Sequence, residues 1–130
     1  MDLPSLPALP RLPFVRDPFR RIRVPRDLES VTTIGLEADP AVAGMTAKGI
    51  ERIWRGVTGL YRSGVHPAIQ ISLRRDGHVV LDRSIGHARG NGPQDKPDAE
   101  KVPATPETPF VVFSASKAVT AMLVHVLQER

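Results

Sequence analysis

The sequence predicts an α+β fold, an antiparallel sheet flanked by helices, with one strongly apolar helix buried against partners of its own. Three observations predict it. Residues 68–85 alternate apolar and polar around an Asp-Gly pair, residues 47–62 carry an apolar stripe at helical spacing, and residues 118–127 are apolar on nearly every side. A chain of 130 residues is long enough for one ordinary domain, and 41% hydrophobic with 25% charged residues is a globular composition.

Residues 1–40 hold seven of the thirteen prolines, and Pro4, Pro7, Pro10 and Pro13 recur every third residue. Proline lacks a backbone donor and biases its predecessor toward extended backbone, so an arm with little regular structure is expected, lying along a globular body or offered to a proline-reading partner. The same prolines interrupt any apolar run, so neither a secretory signal nor a membrane span reads from them, and a cytoplasmic location is expected. The formal net charge is +4, with its densest patch at Arg20, Arg21, Arg23 and Arg26. Such a patch can hold phosphate or an anionic membrane, but Asp17, Asp27 and Glu29 offset it. No aromatic stacking platform accompanies it, so nucleic acid is not an expected partner, and membrane contact through the arm is the weaker alternative to a solvated run. The absence of cysteine excludes disulfides, thiolate metal sites and cysteine nucleophiles.

Residues 41–130 are expected to form the domain proper. Thr46 is a suitable N-cap for a helix over about Ala47–Arg62, with Ile50, Ile53, Trp54, Val57, Leu60 and Tyr61 three and four apart and Gly64 as a stop. Gly49, Gly56 and Gly59 oppose it, each by up to about 1 kcal/mol against alanine. Ala68–Arg74 and His78–Ile85 read as strands joined through Arg75, Asp76 and Gly77, because Asp-Gly accepts the positive φ angles of a tight primed turn. From Gly86 to Pro109 glycine, proline and charge predict a surface loop; it lacks the spacing of a phosphate-binding glycine motif. The following helix, Ala118 to Leu127, is apolar all round, more than one hairpin and one helix can cover, and it ends without a stop signal. The chain is therefore read as the N-terminal portion of a larger domain.

The chemistry centres on Ser114-Ala115-Ser116-Lys117 at the head of that last helix. Residues three apart on a helix are neighbours, so the hydroxyl and the amine share one face. Burial and the positive end of the helix dipole both disfavour an ammonium, so Lys117 could take the proton of Ser114, and the Ser114 backbone amide could help hold an oxyanion. The bland alternative is that Ser114 or Ser116 caps the helix and Lys117 is solvated. Lysine in a first turn opposes the dipole, which the cap reading does not explain. None of the four histidines, His66, His78, His87 and His125, has a spacing that brings it to Ser114, and no pair has helical metal-ligand spacing. No cofactor or metal is expected.

Taken in order, the helix, Val65-His66-Pro67-Ala68-Ile69, the Arg75-Asp76-Gly77-His78 turn, Ile85-Gly86-His87-Ala88, and Thr105-Pro106-Glu107-Thr108-Pro109-Phe110 leading into Phe113-Ser114-Ala115-Ser116-Lys117-Ala118 resemble the start of the serine beta-lactamase-related family. That family includes class C beta-lactamases, DD-peptidases, and esterases and lipases of the same fold, and the resemblance covers about residues 46–130. It implies Ser114 as acylated nucleophile and Lys117 as its base. It also implies a Tyr-x-Asn element and a Lys-Thr-Gly or His-x-Gly strand, neither of which is present; Tyr61, the one tyrosine, precedes the serine. A small-molecule ester or amide substrate is implied, with an esterase or lipase favoured over a lactamase or peptidase, and with the piece as written expected to be inactive alone. A binding or regulatory module that keeps the fold without the chemistry is the competing reading.

Overall fold

The computed structural model describes residues 21–129, in an α+β arrangement of four strands and two helices. Helix α1 spans Ala47–Arg62, as its apolar spacing predicts. Thr46 caps it, its hydroxyl accepting a hydrogen bond from the Gly49 amide at 3.1 Å. Strands β2 (Ala68–Arg75) and β3 (His78–Arg89) form the antiparallel hairpin. Its turn has φ of 48° at Asp76 and 81° at Gly77, the left-handed pair that the Asp-Gly sequence favours.

Strand β3 is central, with β2 on one side and β1 (Thr32–Ile34) on the other, both antiparallel. Alternation then assigns the two faces. Ile69, Ile71 and Leu73 stand in register with Ile85, Arg83 and Leu81, facing α1, while Gln70 stands in register with Ser84 on the opposite face. The α1 face carries the core in two clusters, Ile22, Leu28, Val31, Tyr61 and Ile85, and Ala43, Ile50, Val80 and Leu81.

Two expectations need correction here. Residues 21–40 were expected as part of an arm with little regular structure. Instead Ile22, Leu28 and Val31 are core residues and Thr32–Ile34 is a strand, because these apolar side chains close the end of the sheet that Tyr61 and Ile85 leave open. Residues 1–20, with the proline rhythm and Arg20, lie outside the described residues. The expected surface loop from Gly86 to Pro109 also contains structure. Strand β3 continues to Arg89 and pairs with β4 (Val102–Pro103). Gly86 permits this continuation: its φ is 102°, and a Cβ there would lie 2.3 Å from the Pro67 carbonyl oxygen and 2.8 Å from the Tyr61 ring.

One charged residue faces the core side. Arg83, 9% exposed, sends its guanidinium to both Glu37 oxygens at 2.7 and 2.9 Å and to Glu51 of α1 at 2.9 Å, and lies 5.5 Å from the Trp54 ring centroid. Full pairing is what makes a charge tolerable there.

Candidate active site

Helix α2 runs Ser116–Gln128, preceded by a 3-10 turn over Phe113–Ala115. Ser114 therefore sits in that turn rather than in the α-helix, and Lys117 in the first turn of α2. The 3-10 turn and the helix are continuous, so the side chains still meet: Lys117 Nζ donates to Ser114 Oγ at 2.9 Å. No side chain caps α2 at its N-terminus, and Ser116 Oγ donates to the Phe113 carbonyl at 2.6 Å. Neither serine is thus the cap that the bland alternative requires. Phe113, immediately before Ser114, has φ of 45°. A left-handed conformation costs a bulky residue about 1–2 kcal/mol, so the chain holds strain at the step into the serine.

The environment of the pair differs from the expectation. Every residue from Pro109 to Glu129 is exposed, Ser114 and Lys117 included. The expected buried helix, and with it the desolvation that would strip Lys117 of its proton, is not formed among the described residues. The physical reason is that α1 and the core strands use their apolar faces on each other, so no described element lies over α2. Met122, Leu123 and Leu127 are 66%, 59% and 71% exposed.

What positions the approach to Ser114 is a polar row that sequence reasoning missed. Thr33, Ser84 and Gln70 lie in register across β1, β3 and β2 on the face away from α1. Thr33 and Ser84 hydroxyls donate to the Ala104 carbonyl at 3.1 and 2.7 Å. Gln70 Nε2 reaches the Thr105 carbonyl at 3.0 Å and the Thr108 carbonyl at 3.3 Å, and also contacts the Pro106 carbonyl. The Thr105 amide donates to Thr108 Oγ1 at 2.8 Å, closing the turn from which Pro109 leads to the 3-10 turn. The signal available in the sequence was a polar residue at the centre of each strand, on one face. Its meaning depended on register, which one strand at a time does not disclose.

Among the described residues, neither of two hollows on the surface is lined by Ser114 or Lys117. A groove of about 720 Å³ is bordered by Arg26, Trp54, Arg62 and Arg83, on the α1 side. A smaller one of about 380 Å³ lies between His87, Ala68, Thr108 and Phe110, beside the segment that leads to Ser114. Burial lowers the pKa of His87, with the charge of Lys101 adding to the effect, and its Nδ1 is buried without a hydrogen-bond partner. Tyr61 is a core residue, its pKa raised by burial, and stands apart from the serine's hydrogen bonding. None of His66, His78, His87 and His125 hydrogen-bonds to Ser114 among the described residues, and these residues contain no cluster of three or more His, Cys, Asp or Glu able to hold a metal ion. No helix among them is long and apolar enough to cross a membrane.

The scaffold is α+β and presents serine and lysine one turn apart at the head of an apolar helix, and it is the family match that assigns the serine-hydrolase class. The family model described as Beta-lactamase matches residues 47–130, well over half of the chain, and the chain belongs to that family. No curated protein and no solved structure matches the chain.

Proposed function

We propose that the protein carries the nucleophilic half of a serine hydrolase site that works through an acyl-enzyme, with Ser114 as nucleophile and Lys117 as general base. The observation that carries this reading is the 2.9 Å hydrogen bond between Lys117 Nζ and Ser114 Oγ. In the reacting state the amine is neutral and the bond is reversed, the hydroxyl donating to nitrogen. Ser114 Oγ attacks the carbonyl carbon, its proton passes to Lys117 Nζ, and the carbonyl electron pair moves to an oxyanion that the Ser114 amide helps hold. When the intermediate collapses, the bond to the leaving group breaks and Lys117 returns the proton to it. Water then attacks the acyl ester and frees the serine.

Esters are the favoured substrates, because an alkoxide leaves with less protonation than an amine, and among the described residues Lys117 alone is hydrogen-bonded to Ser114 Oγ as a proton donor. Turnover calls in addition on the Tyr-x-Asn and Lys-Thr-Gly or His-x-Gly elements, which are not among these 130 residues. These 130 residues alone are thus read as inactive. A compartment in the cytoplasm belongs to the same reading.

The exposure of Ser114 and Lys117 favours a second reading, a binding or regulatory module that keeps the fold without chemistry. Incubation of a folded polypeptide that joins these residues to the Tyr-x-Asn and Lys-Thr-Gly or His-x-Gly elements with a fluorophosphonate, followed by peptide mass spectrometry, separates the two. The expected outcome is an adduct on Ser114, absent in Ser114→Ala and formed about a hundredfold more slowly in Lys117→Ala. A folded protein that takes up no probe at Ser114 overturns the hydrolase reading and leaves the module. Acylation by a penicillin faster than by an activated ester would replace the esterase with a lactamase or peptidase.

A further inference from the structure

Helix α2 carries Ser114 and Lys117 at its head, and no described element lies over it, so its place relative to the sheet has to come through the chain that leads into it. Among the described residues no hydrogen bond joins residues 109–129 to the sheet. Those made by the Ser116, Lys117 and Thr120 side chains and by the Ala115 and Glu129 amides all stay within that segment. Phe110 and Val111 border a hollow of about 380 Å³ against Ala68 and His87 instead of closing on them. Among the described residues, the last polar tie to the sheet before the serine is therefore the turn at Thr105–Thr108.

One side chain holds that turn to the sheet. Thr33 and Ser84 fix the Ala104 carbonyl and reach no further along the chain. Gln70 Nε2 donates to the Thr105 and Thr108 carbonyls at 3.0 and 3.3 Å and contacts that of Pro106, so one amide group serves three carbonyls within four residues. Gln70 itself stands on β2 in register with Ser84 of the central strand. The link onward is stiff. Pro109 has a fixed φ and confines Thr108 to extended backbone, and Val111 and Val112 are β-branched. A stiff link passes any displacement of the turn on to Phe113, strained at a φ of 45°, and so to the serine.

We infer that Gln70 is a positioning residue for the acylation step, an assignment that rests on the hydrolase reading of Ser114. Through the Thr105–Thr108 turn it fixes where the Ser114–Lys117 pair stands relative to the sheet, while the contact within the pair is left to local geometry. The two tasks separate physically. Lys117 meets Ser114 within one helical turn, whereas a substrate carbonyl held by other parts of the site meets Ser114 Oγ only if the whole turn is correctly placed. A misplacement of about 1 Å can cost up to about a hundredfold in rate.

Two measurements test the inference. In the polypeptide that joins these residues to the Tyr-x-Asn and Lys-Thr-Gly or His-x-Gly elements, Gln70→Met should lower the rate constant of acylation by an activated ester about tenfold per titrated Ser114, with the half-saturating concentration changed less than about twofold. Leu81→Ala, a core change that costs more stability, should leave that rate constant within about twofold, and Gln70→Lys, which keeps a donor at similar reach, should recover most of the loss. Because the chain has no cysteine, nitroxide labels at Arg52→Cys on α1 and Gln128→Cys on α2 report the placement directly. Gln70→Met in the 130-residue chain should widen the distribution of distances between them. Unchanged acylation, an unchanged distance distribution, or an equal loss of rate in Leu81→Ala overturns the inference alone. Failure of the parent polypeptide to take up ester at Ser114 overturns the hydrolase reading, and the inference with it, even where the distances widen.

Discussion

Residues 21–108 and residues 109–129 obey different physics. In the first region the core has two sides: Ile50, Trp54, Val57 and Tyr61 of α1 pack on the sheet, and Tyr61, Val80, Leu81 and Ile85 are fully buried. In the second region an apolar helix stands exposed on all sides, and it carries the serine and lysine. The contact between Ser114 and Lys117 needs three residues of local geometry and nothing else. A desolvated amine needs a covering surface, and local geometry cannot supply one. The lesson is that a Ser-x-x-Lys element can be structurally correct without yet being chemically activated.

The contrast can be broken at several points. The largest effect is expected at Glu37→Gln, which leaves the Arg83 guanidinium without its bidentate carboxylate and should cost about 3–5 kcal/mol in urea unfolding. Its pH dependence sharpens the test. Burial pushes the Glu37 carboxyl upward, but the hydrogen bond from Arg83, that from the Asp82 amide and the Arg83 charge together hold it below its ordinary value of 4.5. A carboxyl depressed in the folded state stabilises above its unfolded pKa and loses that contribution as pH falls through the folded value. The wild type should therefore weaken below about pH 4.5, and Glu37→Gln should lack that limb. If the variant keeps it, the Arg83 network is not its source.

Leu81→Ala should cost about 2–5 kcal/mol, the usual range for emptying a buried leucine site, read by chemical denaturation. Gln70→Met keeps the size of the side chain but removes the donor that holds the turn at Thr105–Thr108. About 1–2 kcal/mol is expected, with faster amide exchange confined to residues 104–108. Unchanged exchange there would show that Thr33 and Ser84 hold the segment without Gln70. The smallest effect is expected at Leu123→Ala, within about 0.5 kcal/mol, because the side chain is 59% exposed. A loss comparable to Leu81→Ala would mean that α2 is covered in solution and would erase the contrast between the two regions.

Legibility followed the same division. The span of α1, its Thr46 cap and the Asp76-Gly77 turn were readable because each depends on residues a few positions apart. The sheet beyond the hairpin was not. Strand β1 lay hidden in a proline-rich stretch, and β4 is two residues long, so neither shows a period. The Thr33–Ser84–Gln70 row and the Arg83–Glu37–Glu51 network join residues up to 51 and 46 positions apart. In a linear reading these are isolated polar residues.

Spacing by itself determined the two helices, the hairpin and its register-setting turn, and the meeting of Ser114 with Lys117, since helical and turn geometry act over three or four residues. Only the tertiary structure decided that residues 21–34 belong to the core, that a polar row holds the path toward Ser114, and that Lys117 stands in solvent. Burial and charge pairing depend on what distant segments bring to the same place, and that is information no local pattern contains.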